Sequence, residues 1–168
     1  MGKKSTRIAT VFFLIYIALL VWIILFKLQF SIADLDTVRS VNLVPFHYDK
    51  EIGAAFHLKE VIENLLIFVP LGIYLQILLP KSKFHIKLII IIGICLLLET
   101  VQYILAIGRS DITDLIMNTT GGLLGLAIYC IMTRLLKDRK KADKLFLFLA
   151  VIVSIFIIGL LAFLLLLN

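Results

Sequence analysis

Residues 84–107 read FHIKLIIIIGICLLLETVQYILAI, an almost wholly apolar run whose only acidic residue is Glu99. A helix of about 20 apolar residues is long enough to cross the hydrocarbon core of a bilayer. A charged side chain deep in such a helix costs about 3 kcal/mol or more, so it usually marks a site or a buried partner. The run therefore predicts a transmembrane helix that carries a polar group of functional interest.

The rest of the chain repeats this pattern. The 168 residues are 62% hydrophobic and 17% charged, whereas soluble domains have about a quarter of their residues charged. Four further apolar runs predict transmembrane helices, at 8–26, 61–79, 112–135 and 145–167. Strands are excluded on the argument that lipid cannot satisfy an open sheet edge. We therefore expect one domain over 1–168, an all-α polytopic membrane helix bundle with about five transmembrane helices.

The basic residues predict the orientation of this bundle. With the N-terminus inside, the inner segments hold 12 of the 17 lysines and arginines, and these segments are short enough for the positive-inside rule. We expect an inner N-terminus and an outer C-terminus, a tight turn at 108–111 and a charged inner hairpin at 137–144. Ser31-Ile32-Ala33 has the form of a signal-peptidase site, but the first run is longer than a signal sequence needs, so we expect an uncleaved anchor.

Polar residues on three predicted helices fall near the outer ends of those helices. Glu99 lies eight residues before Ile107, which places it roughly 12 Å deep. Glu99 and Gln102 are spaced i, i+3 and therefore share one helix face. We expect a cavity that opens outward with Glu99 at its floor. Its predicted catalytic residues are Glu99 and Asp114, and its predicted ligand-binding residues are Asn64, Gln102, Arg109, Asp111 and Asn118.

A purely structural role is the alternative for several of these residues. Amide side chains join helices by hydrogen bonds, and Gly121-x-x-x-Gly125 is a pattern that lets two helices approach closely. Arg109 is also able to pair with Glu99 or Asp114 for structural reasons alone. No metal site is predicted, because the ten-residue spacing of His47 and His57 matches no zinc pattern.

An ordered set of motifs resembles the VanZ-like family. These are Asn42-Leu43-Val44-Pro45-Phe46, Asn64-x3-Phe68-x-Pro70-x-Gly72, Glu99-x-x-Gln102, and Arg109-x-Asp111-x-x-Asp114-x3-Asn118 followed by Gly121 and Gly125. Each motif alone is weak, but their order over residues 42–125 is specific. The resemblance implies a multi-pass protein of the bacterial cytoplasmic membrane. The founding member of that family is associated with resistance to the lipoglycopeptide teicoplanin.

Three classes of function remain open at this stage. In the first, the outer polar residues bind or shield a membrane lipid, a lipid-linked envelope precursor or a lipoglycopeptide antibiotic. In the second, Glu99 or Asp114 is the general acid or base of a membrane enzyme and Arg109 holds an anionic head group. A transporter is the least favoured, because the two halves of the chain are not repeats. The sequence predicts neither a cofactor nor nucleic-acid binding, since no phosphate loop or soluble basic surface occurs.

Overall fold

A computed structural model describes residues 3–26, 38–46 and 54–167. It contains five helices and two short strands in the order α1 (Lys3–Phe26), β1 (Val38–Asn42), α2 (Ala54–Leu78), α3 (Phe84–Leu105), β2 (Ile107–Asp111), α4 (Ile112–Leu136) and α5 (Arg139–Leu167). The predicted all-α class is confirmed. Four helices, α1 to α4, are long and apolar enough to cross a membrane by length and composition. The chain is an integral membrane protein.

The exclusion of strands is wrong at two places. Val38–Asn42 and Ile107–Asp111 form a parallel two-stranded sheet in which Asn42 is the register partner of Asp111. Residues 108–111, expected as a tight turn, therefore belong to β2. The argument from lipid did not apply to them, because both strands lie beyond the last turn of an apolar helix. α3 stops at Leu105 because Ala106 adopts a left-handed conformation and closes the helix.

Three helices also start earlier than the apolar runs predicted. α1 starts at Lys3, α2 at Ala54 and α5 at Arg139. The charged inner hairpin expected at 137–144 is therefore only a two-residue link, and its remaining basic residues form the first turns of α5. Asp138 starts that helix, since its side chain accepts a hydrogen bond from the Lys140 amide at 2.8 Å. Hydropathy locates the lipid-compatible part of a helix but not its polar ends, and this explains the difference.

α2 and α4 form the central pair of the bundle, and glycines set their separation. A methyl group at Gly121 or Gly125 would overlap the backbone oxygen of Leu65 or Val69 on α2. Close approach through small residues is the usual way for helices to associate in lipid. The main core then packs around this pair, with side chains from α1, α2, α3 and α4 that include Leu20, Phe68, Leu71, Ile91 and Cys95.

The two ends of the bundle differ in character, and we name them for what lies there. At the strand end, α3 and α1 end, α2 and α4 begin, and the two strands pair. At the basic end, α2 and α4 end, while α1, α3 and α5 begin. A second core cluster, which includes Ala9, Ile77, Tyr129, Ala142 and Leu147, joins α1, α2, α4 and α5 near the basic end.

Candidate functional site

The parallel strands place two polar side chains against each other at the start of α4. The Asn42 Nδ2 donates a hydrogen bond to Asp111 Oδ2 at 2.9 Å. The other carboxylate oxygen of Asp111 accepts from the Thr113 amide at 2.7 Å, and this contact caps α4. Asp111, which the sequence predicted to bind a ligand, is therefore committed to two structural contacts.

The turn that follows β1 lies over the start of α4. The Phe46 amide donates to Thr113 Oγ1 at 2.9 Å, and Thr113 is only 1% exposed. Phe46 has a positive φ of 55°, an uncommon conformation for a bulky residue that neighbouring contacts must hold. Leu43, Val44 and Phe46 all expose their apolar side chains. The turn is thus attached to α4 by a polar contact with Thr113, while its apolar side chains stay exposed.

Asn64 links α2 to α4 at the same end of the bundle. Its Nδ2 donates to Asp114 Oδ1 at 2.6 Å, a short contact of the kind formed with a charged acceptor. Both residues are partly buried. The two helices that approach most closely are therefore also joined by a polar contact at the strand end.

Glu99 lies next to these acidic residues. It is 9% exposed, and its carboxyl faces the backbone amide of Asp111 and interacts unfavourably with the side chains of Asp114 and Asp111. Its Oε2 is buried and has no hydrogen-bond partner among residues 3–26, 38–46 and 54–167. The Ser110 hydroxyl binds the Glu99 carbonyl oxygen at 3.0 Å and so fixes β2 against the last turns of α3.

Asn118 lies one helical turn beyond Asp114, on the same face of α4. It is 1% exposed, and its Oδ1 is likewise without a hydrogen-bond partner within the described part of the chain. A buried polar atom that lacks a partner costs about 1–3 kcal/mol. Two such oxygens at one end of a small bundle are unusual and call for an explanation.

Two of the predicted residues are not part of this group in the described structure. The Gln102 side chain donates to the Ile24 carbonyl oxygen at 2.9 Å, in a buried contact that ties α3 to the end of α1. This contact is the structural alternative raised from the sequence. Arg109 lies in β2, but its side chain is outside what the structure describes, so its predicted pairing with Glu99 or Asp114 stays a prediction.

The strand end therefore holds a polar cluster, which we define as Asn42, Asn64, Glu99, Asp111, Thr113, Asp114 and Asn118. Both of its unsatisfied atoms are oxygen acceptors, so a complementary ligand would offer N–H or O–H donors. Two neighbouring carboxyl groups, on Glu99 and Asp114, are also residue types that can act as a general acid and a general base. Within the described residues, no three His, Cys, Asp or Glu side chains lie close enough to hold a metal ion.

Thr113 is the residue of this cluster that sequence reasoning missed. The motif at residues 42–46 includes Asn42 but does not predict its contact with Asp111. The available signal for Thr113 was the Asp111-Ile112-Thr113 segment, in which an acidic N-cap precedes a helix. That signal gives the start of α4 but not the partner of the Thr113 hydroxyl, because the contact with Phe46 spans 67 residues.

The fold and this cluster define the class, a small helical membrane protein with buried acidic and amide groups at one end of the bundle. Comparison with known proteins gives the family. The VanZ/LLP1 family matches residues 13–136, and the chain belongs to it. The chain is 34% identical over 146 residues to Protein VanZ of Enterococcus faecium, which covers 86% of each chain. No solved structure gives a significant match.

Proposed function

We propose that this protein lowers the susceptibility of a bacterial cell to lipoglycopeptide antibiotics such as teicoplanin by binding an envelope component through the polar cluster at the strand end. The bound component is a membrane lipid or a lipid-linked envelope precursor. The protein resides in the cytoplasmic membrane as a multi-pass protein, with the strand end on the outer side. Its family membership and the basic residues at the opposite end support this placement.

One observation carries the proposal: two buried oxygen acceptors without partners in the described chain lie at the same end of the bundle as an exposed apolar turn. Glu99 Oε2 and Asn118 Oδ1 would each gain a hydrogen bond from a ligand that offers N–H or O–H groups. Leu43, Val44 and Phe46 would contact the acyl chains that surround such a head group. A lipid-linked precursor with sugar hydroxyls and amides has both kinds of surface.

A second candidate function is a membrane enzyme that modifies a lipid or a peptidoglycan precursor. The observation that favours it is the electrostatic interaction between the Glu99 and Asp114 carboxyl groups. One carboxyl would then give up a proton and the other accept one, with Arg109 as the candidate for an anionic head group. Binding remains the preferred function, because Asp114 already holds Asn64 at 2.6 Å and Asp111 caps α4.

Glu99→Gln separates these two functions. The substitution keeps the shape and the ability to accept a hydrogen bond, but removes the charge and the transferable proton. If the protein binds, part of the teicoplanin tolerance should survive, because one charge-assisted hydrogen bond is worth about 1.5–3 kcal/mol. If Glu99 is the general acid or base, tolerance should fall to that of cells without the protein, because that role contributes about 10²–10⁴ in rate.

The assay is the teicoplanin concentration that inhibits growth of a host expressing each variant at equal membrane abundance. Gln102→Glu is not a suitable control, because Gln102 binds the α1 backbone. Thr100→Val is better, since Thr100 is exposed on the same helix and only bonds the carbonyl of the preceding turn. If both Glu99→Gln and Asn118→Leu kept wild-type tolerance to teicoplanin, the proposed role of the polar cluster would be wrong.

A further inference from the structure

The basic end of the bundle holds a second polar group, far from the cluster at the strand end. Lys87 precedes Glu99 by 12 residues on α3, so the two side chains start about 18 Å apart along the helix axis. Lys87 Nζ donates to Gln76 Oε1 at 2.6 Å, and Arg139 Nη2 donates to the Gln76 carbonyl oxygen at 2.8 Å. Two cations on different helices therefore bind the same residue of α2.

These two cations are close together, and neither forms a salt bridge with an acidic residue in the described part of the chain. Lys87 and Arg139 repel each other electrostatically. The only salt bridge recorded among the described residues joins Lys59 to Glu63 at the other end of the chain's second helix. Two acidic residues lie near Arg139 in sequence: Asp138 accepts a hydrogen bond from the Lys140 amide at 2.8 Å, and Asp143 accepts one from the Tyr129 hydroxyl at 2.6 Å. The Arg139 guanidinium carbon lies over the Tyr129 ring, 5.9 Å from the centroid of that ring.

The burial of the Lys87 side chain is the reason to expect an anion at this place. Lys87 is 4% exposed, and a buried cation is costly unless an anion or several acceptors compensate it. An ammonium group has three donors and a guanidinium group has five, whereas each uses one on Gln76 within the described part of the chain. Most of their donor capacity is therefore available to an oxyanion. Arg139 is exposed, so a phosphate could reach its guanidinium from the bundle surface and approach the buried Lys87 from that side.

We propose that Lys87, Arg139 and Gln76 form a phosphate-binding site at the basic end of the bundle. The phosphate would lie between Lys87 and Arg139 and bridge α3 to α5. Basic sites between helices on the cytoplasmic side bind the phosphates of anionic lipids, and such a lipid is the expected source. A soluble phosphate would satisfy the same donors. The site uses no residue of the polar cluster, and it shares with the proposed function only the inner placement of the basic end.

Binding is tested on the full chain in nanodiscs of phosphatidylcholine, to which phosphatidylglycerol is added, with retained lipid counted by native mass spectrometry. The test variant is Lys87→Gln with Arg139→Gln, and the matched control is Lys83→Gln with Lys140→Gln. The control removes the same charge from exposed lysines at the same end. All samples are compared at about 1 M salt, where the Debye length of about 3 Å screens surface charges but not direct contacts.

We expect the test variant to lose phosphatidylglycerol preference by about tenfold or more, because it removes charged hydrogen bonds, and the control to keep it. The proposed site would be wrong if the test variant kept the phosphatidylglycerol preference of the wild type. It would also be wrong if the control variant lost this preference to the same extent as the test variant. If the double variant fails to fold in phosphatidylcholine, Arg139→Gln alone tests the same loss of phosphatidylglycerol preference. Arg139 is exposed, so its replacement should leave the fold intact.

The second arm of the experiment identifies the source of the phosphate. Inorganic phosphate is titrated into nanodiscs that contain phosphatidylcholine alone, and the thermal unfolding midpoint is followed. A rise that the Lys87→Gln/Arg139→Gln variant loses would support the site with a soluble ligand. A flat response together with the lipid preference would support the site with a lipid ligand. A flat response and no lipid preference would refute the proposal.

Discussion

Gly125→Ala should destabilise the protein sharply, because α2 and α4 touch through this position. A methyl group there would overlap the Val69 carbonyl oxygen, and would lie 3.0 Å from the Val69 carbonyl carbon and 3.1 Å from the Gly72 Cα. All three neighbours are backbone atoms, so no side chain can rotate away to make room. The two helices must separate, and their packing must loosen along the contact.

The expected size follows from two opposing effects. Overpacking of a well-packed interior costs about 1–3 kcal/mol. Replacing glycine by alanine in a helix gains about 0.5–1 kcal/mol where the methyl group is free. Gly93 on α3 supplies that reference, because a methyl group there meets nothing within 4 Å. The two variants, Gly125→Ala and Gly93→Ala, should therefore differ in free energy of unfolding by about 1.5–4 kcal/mol.

Reversible unfolding in mixed micelles, with a rising mole fraction of denaturing detergent, measures this difference. Helix content gives the signal, and Gly93→Ala is the matched control because it is the same chemical change in another helix. The expected order of stability is Gly93→Ala, wild type, Gly125→Ala. If Gly125→Ala were as stable as Gly93→Ala, the close contact of α2 and α4 would be wrong.

Three further outcomes test other parts of the structure. A periplasmic reporter fused after Asn168 should be active and one fused after Lys83 inactive, and activity at Lys83 would contradict the predicted orientation. In a double-mutant cycle, Asn64→Ala and Asp114→Ala should show a coupling between about 0.6 kcal/mol, the average for polar contacts between membrane helices, and the maximum of about 1.7 kcal/mol. Additive effects on detergent unfolding would contradict the contact between the two side chains. Thr113→Val should raise amide hydrogen exchange in the turn after β1, and unchanged exchange would mean that the turn is held by other contacts.

The apolar runs predicted the helices of this protein well. The reason is that lipid imposes a strict requirement: each described spanning helix must be long, apolar and internally hydrogen-bonded. That requirement acts on consecutive residues, so it is visible in the sequence. It gives no information about helix ends in polar surroundings, and so α2 was expected to begin at 61 and α5 at 145.

The polar cluster could be predicted only in part. Glu99, Asp114 and Asn118 stand out because acidic and amide groups are costly inside apolar helices. Their partners come from elsewhere in the chain: Asn64 is 50 residues before Asp114, and Asn42 is 69 residues before Asp111. No local pattern encodes such pairings. The same limit applies to the strands, because a parallel pair of five residues each carries no turn signal between its members.

The parallel pairing of β1 with β2 has a consequence for the way the protein is made. Each residue of β1 is synthesised 69 residues before its partner in β2. At about 5–20 residues per second, β2 is synthesised roughly 3–14 s after β1. During that time α2 and α3 are inserted while Glu99 still lacks the backbone amide of Asp111 that later faces it. The strand end therefore stays incomplete until β2 has been made, and a chain that stalls before β2 leaves the Glu99 carboxyl without that amide.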